Sequence, residues 1–269
     1  LPLLILLLAS ACAPQPVTVT RESVTLHVVA ADSFAPLVDD VAAAYEESRP
    51  WVTVTSEILN AALAENVLRE DGTDLVLLSW VRDPAGEGQL WTEGLARDGV
   101  AVIVHPGSPL IETGLAQLQE IFRGRLQEWD GMVLTVVSRE NGSGTRAAFE
   151  SIALDGEGTT LNAVVVPSSE AMIEYVGSTP GAIGYVSTLW LSPNVLGPSG
   201  QDPRLGHGVR VLPVEGLLPT GQAVSDGSYL LWRQLYVASR GEPDGEVREF
   251  AQWLLQGGGL EESGTVINR

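Results

Sequence analysis

Short apolar runs rich in valine, leucine and isoleucine alternate with longer amphipathic ones through most of this chain, and that alternation leaves few folds open to it. Val24 to Ala30, Val52 to Thr55 and Leu75 to Leu78 read as strands, with helical periodicity between them over Ala35 to Glu47 and Ala61 to Glu70. A second set begins with a strand at Val100 to Val104. It runs through a helix at Leu115 to Phe122, a strand at Val133 to Val137, a helix opening near Thr145, a strand at Val164, a helix at Ala171 and a strand at Ile183. Strands alternating with helices predict an α/β layer on a mostly parallel sheet. Two such sets could form one large sheet or two lobes, and periodicity does not choose between them. Ser192 to Gly208 is rich in proline and glycine and reads as loop; Tyr229 to Ala238 reads as a strand, and Glu246 to Leu255 as a closing helix stopped by Gly257 to Gly259.

The segment RENGSGTR, residues 139–146, lies where an apolar strand gives way to the run Ala147 to Leu154. A strand, a glycine turn and a helix N-terminus together make an anion site, because the first N–H groups of a helix lack internal partners and sit at the positive end of its dipole. Ser143 and Thr145 add hydroxyl donors, Gly144 allows close backbone approach, and Arg139 brings a permanently charged fork. The plainer reading is an ordinary capped helix on a Gly-Ser turn.

Charge sets limits on the partner. Acidic residues give a formal net charge of -19, and all 15 basic residues are arginine. Nucleic acid is excluded as a partner, since binding its backbone needs clustered positive charge. A local pocket of donors still suffices for a small anion, because distant carboxylates are screened over about 8 to 10 Å. Hydrophobic residues at 45% with 18% charged predict a folded globule.

Leu1 to Ala11 is apolar and then small, and it ends at Cys12, the single cysteine. This reads as the tail of a secretory signal, and the run is too short to span a membrane, which takes about 20 apolar residues. Ala9 to Cys12 resembles a bacterial lipoprotein cleavage box, with Ala9 where leucine is usual, so lipidation of Cys12 is expected; a plain signal with an incidental thiol is the alternative. Residues 13–22 read as a tether.

IFRGRLQEW (121–129) followed by Arg139, Ser143, Gly144 and Thr145 resembles the phosphate-binding proteins of bacterial ABC importers. The resemblance continues through DGVAVIVH (98–105), GAIGYV (181–186) and DGSYLLWRQLY (226–236), in the same order. It implies a two-lobed, venus-flytrap periplasmic-binding-protein fold of type II with two hinge crossover strands, with residues 23–98 and 229–269 in lobe one and 99–228 in lobe two. It also implies a monomer that captures phosphate or a related tetrahedral oxyanion between its lobes and passes it to ABC permease subunits, outside the cytoplasm and held at the membrane by its lipid. Neither cofactor, metal nor catalysis is implied.

By the same resemblance the anion contacts are Arg139, Ser143, Gly144 and Thr145 from the second lobe and Ser33 with the Phe34 backbone from the first; a helix N-cap is the other role open to Ser33. The first lobe departs from the pattern in two places. Asn60 to Ala64 replaces a Gly-Ser-rich turn, and Ser79 with Trp80 stands where phosphate-specific members place a serine or an aspartate. Monohydrogen phosphate carries a proton that a carboxylate accepts, whereas sulfate carries none, so a site lacking that carboxylate loses its reason to prefer phosphate. Asp32 or Glu57 could substitute. Trp80 could line the cleft or be structural. His27, His105 and His207 lack metal-ligand spacing, and no Gly-x-Ser-x-Gly or Walker motif is present. The rival reading is a surface anion sensor or adaptor with a partly eroded cleft.

Overall fold

The computed structural model describes residues 21–70, 72–81, 90–191 and 208–260, with the backbone of 266–267. Cys12, most of the tether and nearly all of the loop expected at Ser192 to Gly208 lie outside the described residues.

Three parallel strands open the chain: β1 (Val24–Ala31), β2 (Val52–Leu59) and β3 (Leu75–Leu78), with β1 between the other two. A one-turn 3-10 helix at 32–34 precedes α1 (Val38–Ser48), and α2 (Ala61–Arg69) links β2 to β3. The first helix thus starts three residues later than its periodicity suggests, because Asp32 to Leu37 are spent on the turn.

β4 (Trp91–Val104) is far longer than the Val100 to Val104 expected for it. The chain continues through α3 (Leu115–Phe122), the hairpin β5 (Glu128–Trp129) and β6 (Met132–Val133), β7 (Thr135–Arg139), α4 (Gly144–Ala153), β8 (Val164–Val166), α5 (Ser169–Ser178) and β9 (Ala182–Ser187). After a second 3-10 turn at 188–190 come β10 (Arg210–Val211), α6 (Gly221–Ser225), β11 (Trp232–Ser239), α7 (Gly245–Leu255) and β12 (Val266–Ile267).

The hydrogen-bonded path runs β2-β1-β3-β11-β4-β9-β7-β8. One strand joins its halves: Trp91 to Gly99 of β4 pairs antiparallel with β11, and Val100 to Val104 pairs antiparallel with β9. Each half packs its own core. Leu26, Val28, Phe34, Val41, Tyr45, Leu235, Val237, Phe250 and Leu254 cluster in the first, and Val102, Leu118, Phe122, Phe149, Tyr185 and Tyr229 in the second. The protein is therefore a two-lobed α/β fold whose sheet path runs unbroken through the crossover strands β4 and β11. Burial of these apolar side chains stabilises each lobe by roughly 1.5–3 kcal/mol per residue before the entropy of ordering is counted.

Candidate functional site

The turn at Gly142 brings the second lobe against the first. Gly142 holds φ at +91°, and a Cβ there would come within 2.9 Å of Asn60 Oδ1 and 3.0 Å of Ala62 Cβ. Its carbonyl accepts from the Ala62 N–H at 3.0 Å, a backbone bond between the lobes. Gly144 is just as confined: a Cβ there would collide with Ser79 Oγ and lie 3.1 Å from the Cβ atoms of Ala61 and Trp80. The alanines that replace the expected Gly-Ser turn are thus the surface on which these glycines pack.

At the start of α4, Ser143 is the N-cap, its Oγ accepting from the Arg146 N–H at 3.3 Å. The N–H groups of Gly144 and Thr145, at the first two helical positions, have no acceptor within the helix. Thr145 Oγ1 accepts from Arg233 Nη1 at 3.1 Å. Ser33 and Ser79 are buried, at 2% and 1% exposure, and neither makes a side-chain hydrogen bond to another described residue. Phe34 ends the 3-10 turn with its ring in the first-lobe core.

Arg139, at the end of β7, is 1% exposed. Its guanidinium meets the carboxylate of Glu140, Nε to Oε2 at 2.9 Å and Nη2 to Oε1 at 3.2 Å, and that of Asp32, Nη1 to Oδ2 at 2.9 Å. Burial alone would depress it, but the Glu140 and Asp32 carboxylates more than offset this and hold it above the ordinary arginine range. The sequence expectation of a fork open to solute does not match this geometry, because the fork is closed by protein acceptors. Behind it, Tyr185 accepts from the Arg139 N–H at 3.3 Å and pairs with Ser138 Oγ at 2.8 Å. The Tyr185 ring, on β9, stacks on Phe149 of α4 at 4.1 Å, so this tyrosine ties the arginine's strand, through its hydroxyl, to the serine's helix, through its ring.

Of the two acidic substitutes considered, Asp32 reaches the site and Glu57 sits exposed on β2. Trp80 lines the cleft: a cavity of about 220 Å³ lies between Ala61, Ala62 and Trp80 on one side and Gly142, Ser143 and Arg146 on the other. His27 and His105 are engaged locally, with Thr55 and Gly107, His207 lies outside the described residues, and no metal-binding group of side chains occurs among those described.

Sequence reasoning missed Ser169, at the first position of α5, and Arg233, on β11. Arg233 Nε donates to Asp98 Oδ2 at 2.8 Å; its Nη2 also lies 2.7 Å from that oxygen, but without hydrogen-bond alignment. The one available signal for Arg233 was a cation inside a largely apolar strand.

The matched stretch of a curated relative, phosphate-binding protein PstS of Bacillus subtilis (strain 168), is 29% identical over 161 residues, 58% of this chain and 49% of that protein. The chain thus spans about half the length of that relative. Phosphate-binding protein PstS 2 of Streptococcus pneumoniae serotype 4 is 28% identical over 105 residues, 39% of this chain and 36% of its own. Among solved structures, a putative phosphate ABC transporter substrate-binding protein with bound phosphate from Clostridium perfringens aligns with a TM-score of 0.79 at 22% identity, covering 91% of this chain and 100% of that one. An ABC-type phosphate transport receptor from Vibrio cholerae gives 0.70 at 23% identity, covering 90% and 100%. At these identities the structural likeness speaks for the fold. A family model for the PBP superfamily domain matches residues 16–257, and the chain belongs to that superfamily.

Proposed function

We propose that the protein is a solute-binding protein that takes up phosphate, or a related tetrahedral oxyanion, between its lobes and delivers it to an ABC permease. The observation that carries this reading is the start of α4. Ser143, Gly144 and Thr145 present hydroxyls and unpaired first-turn N–H groups in a buried seam, directly opposite the buried Ser79. Donors of this kind suit an oxyanion and ask for neither metal nor covalent chemistry. The phosphate-binding relatives support the choice of ligand. Lipidation at Cys12 would keep the receptor beside its permease, and no helix among the described residues is long and apolar enough to cross a membrane.

The test is calorimetric titration of the protein, freed of anion by partial unfolding and dialysis, with phosphate and then sulfate. Saturable uptake of phosphate at one site supports the reading, and an equal response to sulfate means that no carboxylate receives a ligand proton. Silence with both anions sinks it. The closed fork of Arg139 favours a second reading, a surface anion sensor or adaptor that no longer cycles solute.

A further inference from the structure

Asp32 comes from the first lobe, and every group that receives its carboxylate belongs to the second. Oδ2 accepts from Arg139 Nη1 at 2.9 Å and from the Ser169 hydroxyl, and the Ser169 N–H lies 3.2 Å from both carboxylate oxygens. Ser169 opens the ten-residue helix α5, so its N–H is one of the first-turn donors at the positive end of that helix. A guanidinium, a hydroxyl and a helix N-terminus around one carboxylate form the constellation that would hold a free oxyanion. The loop carrying Asp32 is fixed as well, since Trp190 Nε1 donates to the Asp32 carbonyl at 3.0 Å.

Arg139 has no donor nitrogen left over. Nε and Nη2 are taken by Glu140, with Pro167 O at 3.5 Å from Nη2, and Nη1 divides between Asp32 and Ser169 Oγ, the latter at 2.8 Å. Two carboxylates already face one cation. A doubly charged solute placed against the same arginine would meet their repulsion in a site shielded from water, where screening is weak.

We propose that Asp32 is an intrinsic ligand: it fills the Arg139 and Ser169 anion site of the second lobe, holds the lobes together when no solute is bound, and competes with any oxyanion that enters. Competition rests on the receptor reading above; closure without solute does not. A site occupied by its own carboxylate most of the time has its apparent affinity lowered by the fraction of molecules in which it is vacant. Asp32 therefore sets affinity through displacement. A proton acceptor for monohydrogen phosphate would act in the opposite direction, by adding a contact to the bound anion.

The experiment compares the wild-type protein with Asp32→Asn and with Ser169→Ala, the latter weakening the same contact while leaving its charges in place. Each is titrated with phosphate and sulfate, and the radius of gyration of each anion-free protein is measured by small-angle scattering. The expected result is that Asp32→Asn binds both anions at least tenfold more tightly, while Ser169→Ala, which also loses a donor to the entering anion, gains less affinity but is likewise more open than the wild type when anion-free. Anion-free Asp32→Asn should be more open than the wild type and should contract on adding phosphate. A fall in phosphate affinity with sulfate unchanged would make Asp32 a proton acceptor and overturn the proposal. An anion-free wild type as open as Asp32→Asn would overturn it too. If none of the proteins responds to either anion the receptor reading fails, while the scattering comparison still decides whether Asp32 closes the lobes.

Discussion

Asp98 and Arg233 stand at the same register position on the two crossover strands, and their charged groups meet at 2.7 Å with neither side chain more than 3% exposed. Asp98 also accepts from Ser187 Oγ, Thr188 N–H and Thr188 Oγ1, so its carboxylate is saturated. Removing one member of such a pair strands the other charge in the interior, at a cost of about 3–5 kcal/mol. Asp98→Ala should lower unfolding stability in urea by that amount, and Asp98→Leu with Arg233→Met, which removes the stranded charge but leaves the Ser187 and Thr188 donors without this acceptor, should recover only part of it. Equal losses in the single and double variants would show that packing, rather than the stranded charge, sets the cost.

Gly144 offers a test of the seam. An added methyl collides with Ser79 Oγ, and Ala61 and Trp80 leave it no room to turn aside. Gly144→Ala is expected to hold the lobes apart, raising the radius of gyration and weakening phosphate binding at least tenfold. An unchanged scattering curve would mean that the lobes do not close on this contact.

Ser143 has two tasks that substitution can separate. Alanine removes the cap and should cost about 1 kcal/mol, whereas glycine at an N-cap costs only a few tenths. Ser143→Gly is therefore expected to keep its melting temperature close to the wild type while losing phosphate affinity for want of the hydroxyl. If affinity follows stability through both variants, the serine is a cap and nothing more.

Alkaline pH should unfold the protein through its buried tyrosines. Burial pushes the Tyr185 hydroxyl up to about 12, with the hydrogen bonds from Ser138 and Arg139 opposing part of the shift. Burial likewise raises Tyr45 and Tyr229. A raised value means that the fold keeps the proton after the unfolded chain has lost it, near pH 10. The stability that Tyr185 contributes is whole below about pH 10 and is lost as pH rises through about 12, and that of the more strongly raised Tyr45 and Tyr229 is lost at higher pH still. Urea midpoints should hold steady up to that onset and then fall, with tyrosinate absorbance from the three residues appearing together with unfolding. Their ionisation at about pH 10 in a still-folded protein would contradict this.

Much of the architecture could be read from local pattern, because β1 and β3 are short apolar runs between polar residues and α2, α3 and α7 have asparagine, glycine or proline at or near their ends. The first half of β4 could not. Thr92, Glu93, Arg97 and Asp98 break its apolar run, and their place in a strand is fixed by pairing with β11 and, at Asp98, by Arg233. The turn at 32–34 escaped for the same reason: its Asp32 groups are held by Ser169 and Trp190, more than a hundred residues away. Ser143, Gly144 and Thr145 were legible because a helix start is a local event. The occupation of Arg139 by Asp32 was not, since it depends on which lobe-one side chain reaches across the cleft.

The position of β11 also decides the order in which the molecule can be completed. It lies between β3 and β4, and with α7 it supplies Leu235, Val237, Phe250 and Leu254 to the core around Leu26 and Tyr45. A chain leaving the ribosome has made every element of the second lobe before Trp232 appears, while β3 waits with an open edge. Vectorial synthesis thus inverts the usual sequence in which N-terminal units fold first. The lobe that is begun first is finished last, and a nascent chain must be kept from pairing that edge elsewhere until β11 and α7 emerge.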